Sequence, residues 1–284
     1  MREGYRMTAV LVTGAHGFGA AGFIGVHLVD KLKLEGFDVL EFKGDVRNPK
    51  HVQKNFSEKV EIVYHLAAQV SPLRSITDPI YDLETNALGT LNILNCARKK
   101  GVQVVYTSSA AVYGEPKYLP IDEDHPLQPL SPYGLSKLTA ERYCLLYQKI
   151  HNLPVTVLRI SNVYGPRGHG VINTFLRNIR ENKPLTVYGD GEQSRDFIYV
   201  EDVTQALIKA EGKEGVYNIG TGKPTSINQL IKIIEELTGR GIRVKREPTK
   251  LGDIKHSYFN IEKAKRILQF NPKITLKEGI KNTL

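Results

Sequence analysis

The chain has 284 residues, 41% hydrophobic and 24% charged, enough for one large α/β unit or a dinucleotide unit with a smaller lobe, and too ordinary in composition for long disorder. No apolar run approaches the ~20 residues of a membrane span, and Met1 to Tyr5 lacks the apolar core of a secretory leader, so a cytoplasmic protein is expected. The net charge of +9 is concentrated in residues 240–284, where twelve Lys/Arg face four Asp/Glu; with no aromatic-interleaved basic stripe there, this argues against a nucleic-acid module and leaves solvated lysine faces or a field for an anionic substrate.

In chain order, Met1 to Arg6 reads as an appendage before a first strand at Ala9 to Thr13. A helix is predicted over Phe23 to Leu34, then strands at Asp38 to Phe42 and Ile62 to Leu66, with no helix between the second strand and Asp45-Val46-Arg47-Asn48. A helix over Leu83 to Lys99, a strand at Val102 to Thr107, a helix over Pro132 to His151 and a strand at Val155 to Ile160 follow. Buried-strand runs alternating with amphipathic helices predict an α/β fold with a Rossmann-type doubly wound parallel sheet. Past about residue 165 the alternation loosens, with Gly165-Pro166 and Gly189-Asp190-Gly191 as punctuation. That shift predicts a dinucleotide-binding unit over 1–164, with part of 196–216 returning to it, and a smaller α/β substrate lobe over 165–284. The two cysteines, Cys96 and Cys144, fall in helical patterns and read as reduced, packed thiols.

The first strand runs into a glycine-rich stretch, residues 14–25. Dinucleotide folds need glycine there for a tight turn, for backbone approach to the pyrophosphate and for helix–strand packing. Two registers compete: Gly14, Gly17 and Ala20 follow the strand at once, whereas Gly19, Gly22 and Gly25 open directly onto the helix. The second is preferred, because unpaired N–H groups that bind an anion lie at a helix start. Gly22, Phe23 and Ile24 then contact the pyrophosphate, Gly14 serves the turn, and His16 to Ala20 is an inserted bulge. At the end of the second strand, Lys43 stands about where an acid would hold the adenosine ribose; NAD is the expected cofactor, with NADP possible because a lysine tolerates a 2′-phosphate.

Tyr133 and Lys137 are four apart on one helix face. A phenol titrates near ~10 and is a poor base at neutrality, but a neighbouring ammonium and a cationic nicotinamide ring favour phenolate. Upstream, Thr107-Ser108-Ser109 ends a strand and supplies a hydroxyl to orient the reacting group, while His65-Leu66-Ala67-Ala68 and Asn86 fall where a cofactor would be lined.

With these residues the sequence resembles the extended short-chain dehydrogenase/reductase family and, within it, the UDP-glucose 4-epimerase-like enzymes. The resemblance spans nearly the whole chain from Ala9. Its markers are Gly-Ala-Ala-Gly-Phe-Ile-Gly at 19–25, Asp45-Val46, residues 65–68, Asn86 with Gly89-Thr90, Ser108-Ser109 with Tyr113-Gly114, and Tyr133 with Lys137. Later ones are Arg159 with residues 162–167, Gly189-Asp190-Gly191 with Gln193 and residues 195–197, and residues 217–220.

The resemblance implies Tyr133 as acid/base, Lys137 lowering its pKa and holding the cofactor ribose, and Ser109 binding the sugar hydroxyl. It places the cofactor against Gly14, Gly19, Gly22, Phe23 and Ile24, and against Asp45 and Val46. Leu66, Ala67, Ala68, Gln69 and Asn86 add to that wall, as do Thr107, Ser108, Ile160 and Val163. The nucleotide sugar falls to Ser109, Tyr133, Asn162 and Arg195, with Tyr188 near the base and Lys250 and Asp253 beyond; no metal is expected. The chain departs from the family in the 16–20 insertion, in the shortened 36–48 region, and in Lys250 where arginine is usual. A homodimer through helices 83–99 and 132–151 is expected, using apolar residues such as Leu138, Cys144, Leu145 and Leu146.

The related 4,6-dehydratases carry an acid pair just after the strand-end hydroxyl, where this chain has Ala110 and Ala111. Elimination therefore lacks its acid and base, and a nucleotide-sugar 4-epimerase working through a 4-keto intermediate is expected. A NAD(P)H-dependent nucleotide-sugar reductase or dehydrogenase is the alternative, and a catalytically silent dinucleotide-binding protein a more distant one.

Overall fold

The computed structural model describes residues 8–15, 22–249 and 254–284. Met1 to Arg6, the His16 to Ala20 bulge with Gly19, and Lys250 and Asp253 lie outside the described residues.

The large sheet is built from β1 (Ala9–Thr13), β2 (Asp38–Glu41), β3 (Val60–His65), β4 (Gln103–Ser109), β5 (Val155–Ile160) and β9 (Gly215–Ile219). Its order is β2-β1-β3-β4-β5-β9 and every pairing is parallel. From β1 the chain builds outward to β2, then returns to place β3 on the other flank, so the strand order reverses between β1 and β3. Ligands of doubly wound sheets bind above such a switch point. Thr13 and His65, the last residues of those strands, are register partners there.

Alternation fixes the two faces. Val10 and Val12 pack on one side with Leu28 and Leu32 of α1 (Phe23–Leu34). Leu11 packs on the other with Val52 of α2 (Pro49–Asn55). This second side also takes Ile93 and Leu94 of α5 (Gly89–Lys100) and Ala140 and Cys144 of α6 (Pro132–His151). Helix α2 was not anticipated from the sequence. Asn48 caps it by accepting from Lys50 N, and Pro49 fits its first turn, where a missing N–H costs nothing.

The helix expected over Leu83 to Lys99 is longer and broken in kind. It runs through α4 (Pro79–Leu83), a π-helical turn at Glu84–Leu88 and α5, and the separate α3 (Pro72–Thr77) precedes it across the non-helical Asp78. Such single wide turns occur often at functional sites, and this one carries Asn86. The helix α6 keeps its expected bounds. Ser131 caps it by accepting from Gly134 N at 3.1 Å, Pro132 sits in the first turn, and Asn152 ends it in the left-handed region.

The smaller lobe draws on β6 (Asn162–Tyr164), α7 (Val171–Arg180), β7 (Leu185–Tyr188) and β8 (Ser194–Tyr199). Helix α8 (Val200–Lys209) packs on α1 and leads to β9. Then follow β10 (Pro224–Ser226), α9 (Ile227–Thr238), β11 (Val244–Glu247), β12 (His256–Ser257), α10 (Glu262–Ile267) and α11 (Leu276–Thr283). Strands β10, β8 and β12 pair, β6 joins β8, and β11 pairs with β7. These strands are short, but α7, α8 and α9 are full amphipathic helices, so the region past residue 165 is more regular than its sequence suggests. Ile172, Phe175 and Leu176 of α7 join Leu230 and Ile234 of α9 in one apolar core.

Among the described residues no helix is long and apolar enough to cross a membrane, and no group of three or more His, Cys, Asp or Glu is placed to hold a metal.

Candidate active site

A cavity of about 310 Å³ opens at the carboxyl ends of β3, β4 and β5, within the range of small-molecule sites. Tyr133 and Lys137 line it from α6, Ser108 and Ser109 from the end of β4, and Phe23 and Ile24 from the start of α1. Leu66, Ala68, Thr107, Ile160, Asn162 and Val163 complete the expected residues that it brings together.

Glycine shapes the entrance to α1. Gly14 has φ +78°, and a Cβ there would come within 2.7 Å of Ala67 N and 2.8 Å of Leu66 C. A Cβ at Gly25 would drive into Gly14 O, so these two glycines let the helix and the strand turn close on each other. Helix α1 begins at Phe23 with no side-chain cap, which leaves its first N–H groups for an anion at the cavity wall. The residues present therefore fit the pyrophosphate of a dinucleotide.

Lys137 is only 3% exposed. Its ammonium donates to Thr107 O at 2.5 Å and lies 4.5 Å from the Tyr106 ring centre; burial lowers its pKa to about 8. The phenol of Tyr133 is shifted upward. Burial is the largest cause, a hydrogen bond from Ser109 opposes it, and the charge of Asp82 adds to the rise. The Lys137 ammonium, on the same helix face as this phenol, is turned to the Thr107 carbonyl. Ser109 caps the short 3-10 turn Ala110–Val112 by accepting from Ala111 N; neither Ala110 nor Ala111 brings a carboxylate.

Beneath this surface lies a buried polar layer. Ser108 Oγ donates to Glu141 at 2.8 Å, and Arg159 pairs with the same carboxylate at 2.6 Å. Arg159 also donates to Tyr113 OH at 2.8 Å, which donates to Asn218 at 2.6 Å. Asn86 belongs to this substructure and does not line the cavity. It is 1% exposed, its Oδ1 accepts from Gln69 N, and its Nδ2 donates to Gln69 O, Asp82 and Ser136. Gln69, also buried, donates to Asp82 at 2.7 Å.

The remaining expected residues stand apart from the cavity. Asp45 is gripped by Arg47 at 2.6 Å, the largest cause of its lowered pKa, and Arg47 stacks 4.7 Å from the Tyr81 ring centre. Val46 is buried against Gly89. Tyr188 lines a second cavity with Gln193, Thr249 and Lys255. Arg195, on β8, donates to Ser194 O at 2.9 Å. The cavity also contains residues that sequence reasoning missed: Val70, Ser161, and the His169 to Ile172 segment leading into α7. Only the topology, which swings the start of α7 over the end of β5, brings that segment in.

Comparison with known proteins settles the family. The sequence profile described as the NAD dependent epimerase/dehydratase family matches residues 10–220. The chain belongs to that family. It is 42% identical to a putative UDP-glucose 4-epimerase of Methanocaldococcus jannaschii, with 97% of each chain covered. Among solved structures, it matches the Thermotoga maritima UDP-glucose 4-epimerase with UDP-glucose at TM-score 0.91, with 36% identity and 97% of each chain covered. The Thermus thermophilus UDP-glucose 4-epimerase in complex with NAD matches at 0.89, with 34% identity over 97% of each chain. These likenesses agree with the Rossmann-type fold and with the family resemblance visible in the sequence.

Proposed function

We propose that the protein is a NAD-dependent nucleotide-sugar 4-epimerase interconverting UDP-glucose and UDP-galactose. The observation that carries this reading is the meeting of Tyr133, Ser109 and Lys137 at one end of the cavity with alanines at 110 and 111. NAD, when bound, would supply a reversible hydride acceptor for C4 of the hexose. Tyr133 takes the proton of the 4-hydroxyl and later gives it back, Ser109 holds that hydroxyl toward the phenol, and Lys137 provides positive charge beneath. Gly22, Phe23 and Ile24 offer N–H groups to the dinucleotide, with Gly14 shaping the turn and Asp45 and Val46 at the adenine end. Asn162 and Arg195 hold the sugar diphosphate, and Tyr188 lies near the base. The carboxylate-free Ala110–Ala111 turn disfavours elimination, and the alternative that survives is a reductase. The purified protein should convert UDP-galactose to UDP-glucose with no added reductant and release oxidised NAD on denaturation. No interconversion of the two UDP-sugars, with NADPH consumed instead in reducing a 4-keto nucleotide sugar to its hydroxyl form, would overturn the assignment in favour of the reductase.

Two further parts of this reading concern organisation. We propose that 1–164, with α8 and β9, is the dinucleotide unit and that the rest of 165–284 is the nucleotide-sugar lobe. A homodimer through helices 83–99 and 132–151 is also proposed, although most of the apolar residues exposed on them differ from those the sequence suggests. Cys144 is in the core, Leu145 packs against the same cluster and Leu138 against the small one around Tyr113 and Phe259, so of the four residues expected at the interface only Leu146 stands exposed. Exposed apolar side chains there include Leu83 and Leu88 of the first helix and Leu135, Tyr143, Leu146 and Ile150 of the second, with Leu73 and Ile76 of α3 and Ile80 of α4 on the helices packed against α6. A patch this apolar on neighbouring helices suits an isologous contact. Light scattering at micromolar concentration should give twice the chain mass; a monomer mass rules this face out as a dimer contact.

A further inference from the structure

At the switch point a line of buried hydrogen bonds runs from the dinucleotide turn to the catalytic helix. Thr13 Oγ1 is 2.7 Å from His65 Nδ1, and His65 Nε2 is 3.0 Å from Thr90 Oγ1. Thr90 Oγ1 donates to Asn86 O at 2.6 Å, Asn86 Nδ2 donates to Ser136 Oγ at 3.0 Å, and Ser136 Oγ donates to Tyr133 O at 3.0 Å. No side chain in the line is more than 2% exposed.

The neighbours fix the direction of every bond. Thr13 Oγ1 already accepts from Leu66 N and Ala67 N, so its own proton goes to His65 Nδ1. Thr90 spends its proton on Asn86 O, so it must accept from His65 Nε2. His65 is therefore the neutral tautomer with its proton on Nε2. Burial, followed by the charge of Lys137, holds its pKa down to about 3, and the second proton that would break the line stays off. A second branch leaves from the same residue: His65 O accepts from Thr107 Oγ1 at 3.1 Å, and Thr107 O receives the Lys137 ammonium.

We propose that His65 is the positioning residue that locks the dinucleotide turn at Thr13–Gly14 to the helix carrying Tyr133 and Lys137. Each ring nitrogen serves one side. Nδ1 steadies the turn that meets the cofactor, and Nε2 steadies, through Thr90, Asn86 and Ser136, the backbone from which Tyr133 projects. A displacement well under a bond length at a reacting group is enough to slow proton transfer, so the line matters for rate as well as for folding. The inference rests on the reading of Tyr133 and Lys137 as catalytic.

The two nitrogens can be separated by substitution. Asparagine at 65 places an oxygen near the Nδ1 position and keeps the Thr13 bond alone; glutamine reaches the Nε2 position and keeps the Thr90 bond alone. Calorimetric NAD affinity and kcat at saturating NAD are the two readouts. His65→Asn should keep NAD affinity within about threefold and lose about tenfold or more in kcat, the scale of one buried polar group left unpaired. His65→Gln should show the reverse split. Thr90→Ser, which keeps the hydroxyl, should match the unmodified protein, whereas Thr90→Val should reproduce the kcat loss of His65→Asn. Folded His65 variants that keep both quantities within twofold, or that lose both together without a split, overturn the proposal. Tyr133→Phe separates the levels: full activity there sinks the catalytic reading itself, whereas an inactive Tyr133→Phe with no split at His65 sinks only the lock.

Discussion

On one side of the β1–β3 crevice stand four parallel strands, β3, β4, β5 and β9; on the other stand only β1 and β2. On the proposed reading the four-stranded side would carry the nicotinamide end, and its supports are fully buried: the Glu141–Arg159 pair with side chains at most 4% exposed, Asn218, and the line from His65 to Ser136. The two-stranded side would carry the adenosine end, on half-exposed supports. Arg47 and Asp45 leave 34% and 41% of their side chains in solvent, and Lys43 is exposed after a strand that no further strand covers. Chemistry needs atoms held to fractions of an ångström, whereas affinity can be gathered from contacts that move. The fold has spent its buried hydrogen bonds accordingly.

Tyr133→Phe should show the largest effect. It removes only the proton carrier, so turnover should fall by ~10²–10⁴-fold while calorimetry still detects UDP-sugar binding. Steady-state rates within a factor of two of the unmodified protein would break the assignment of the rigid side as catalytic.

Next comes Arg159→Met, which leaves Glu141 buried without its partner. Loss of one member of a buried pair costs ~3–5 kcal/mol, to be read as a lower denaturant midpoint. Adding Glu141→Leu should recover much of the loss, because the stranded charge goes too. A single variant that unfolds at the unmodified midpoint would mean that the pair contributes nothing to holding β4, β5 and α6 together.

The smallest effect is expected across the crevice. Arg47→Ala removes a half-exposed ion pair of the kind worth ~0.2–1 kcal/mol, so NAD affinity should drop by no more than about fivefold and kcat at saturating NAD should not change. The same titration with NADP reads Lys43, since Lys43→Asp should weaken NADP more than NAD. A loss of kcat in Arg47→Ala would erase the contrast between the two sides.

Much of the fold around the crevice was legible because its signals are local. β1, α1, α6 and β5 keep their expected bounds, and Tyr133 and Lys137, set on one helix face by their spacing and marked by the strand-end serines before them, line the cavity. What was not legible depends on partners distant in sequence. Thr90 is an ordinary helical threonine until β3 brings His65 against it, and nothing local shows that Asn86 lies beneath the cavity rather than on it. The π-helical turn under Asn86 leaves no mark in a pattern read at 3.6 residues per turn. Helix α2 was overlooked because seven residues are too few for periodicity to show, although Asn48-Pro49 is a recognisable start. In the smaller lobe the strands are two to six residues long, and their partners come from separate passes of the chain.

The position of β9 also bears on how the chain is made. β5 ends at Ile160 and the strand that covers its edge begins at Gly215. At ~5–20 residues per second, a ribosome needs roughly 3–11 s to supply it. Throughout that interval Val155 to Ile160, all buried in the finished protein, would offer an apolar edge with unpaired N–H and C=O groups, the usual template for joining another chain. Newly made copies are therefore most exposed to aggregation after β5 has emerged and before β9 arrives, and slowing synthesis within residues 161–214 should reduce soluble yield more than slowing it after Ile219.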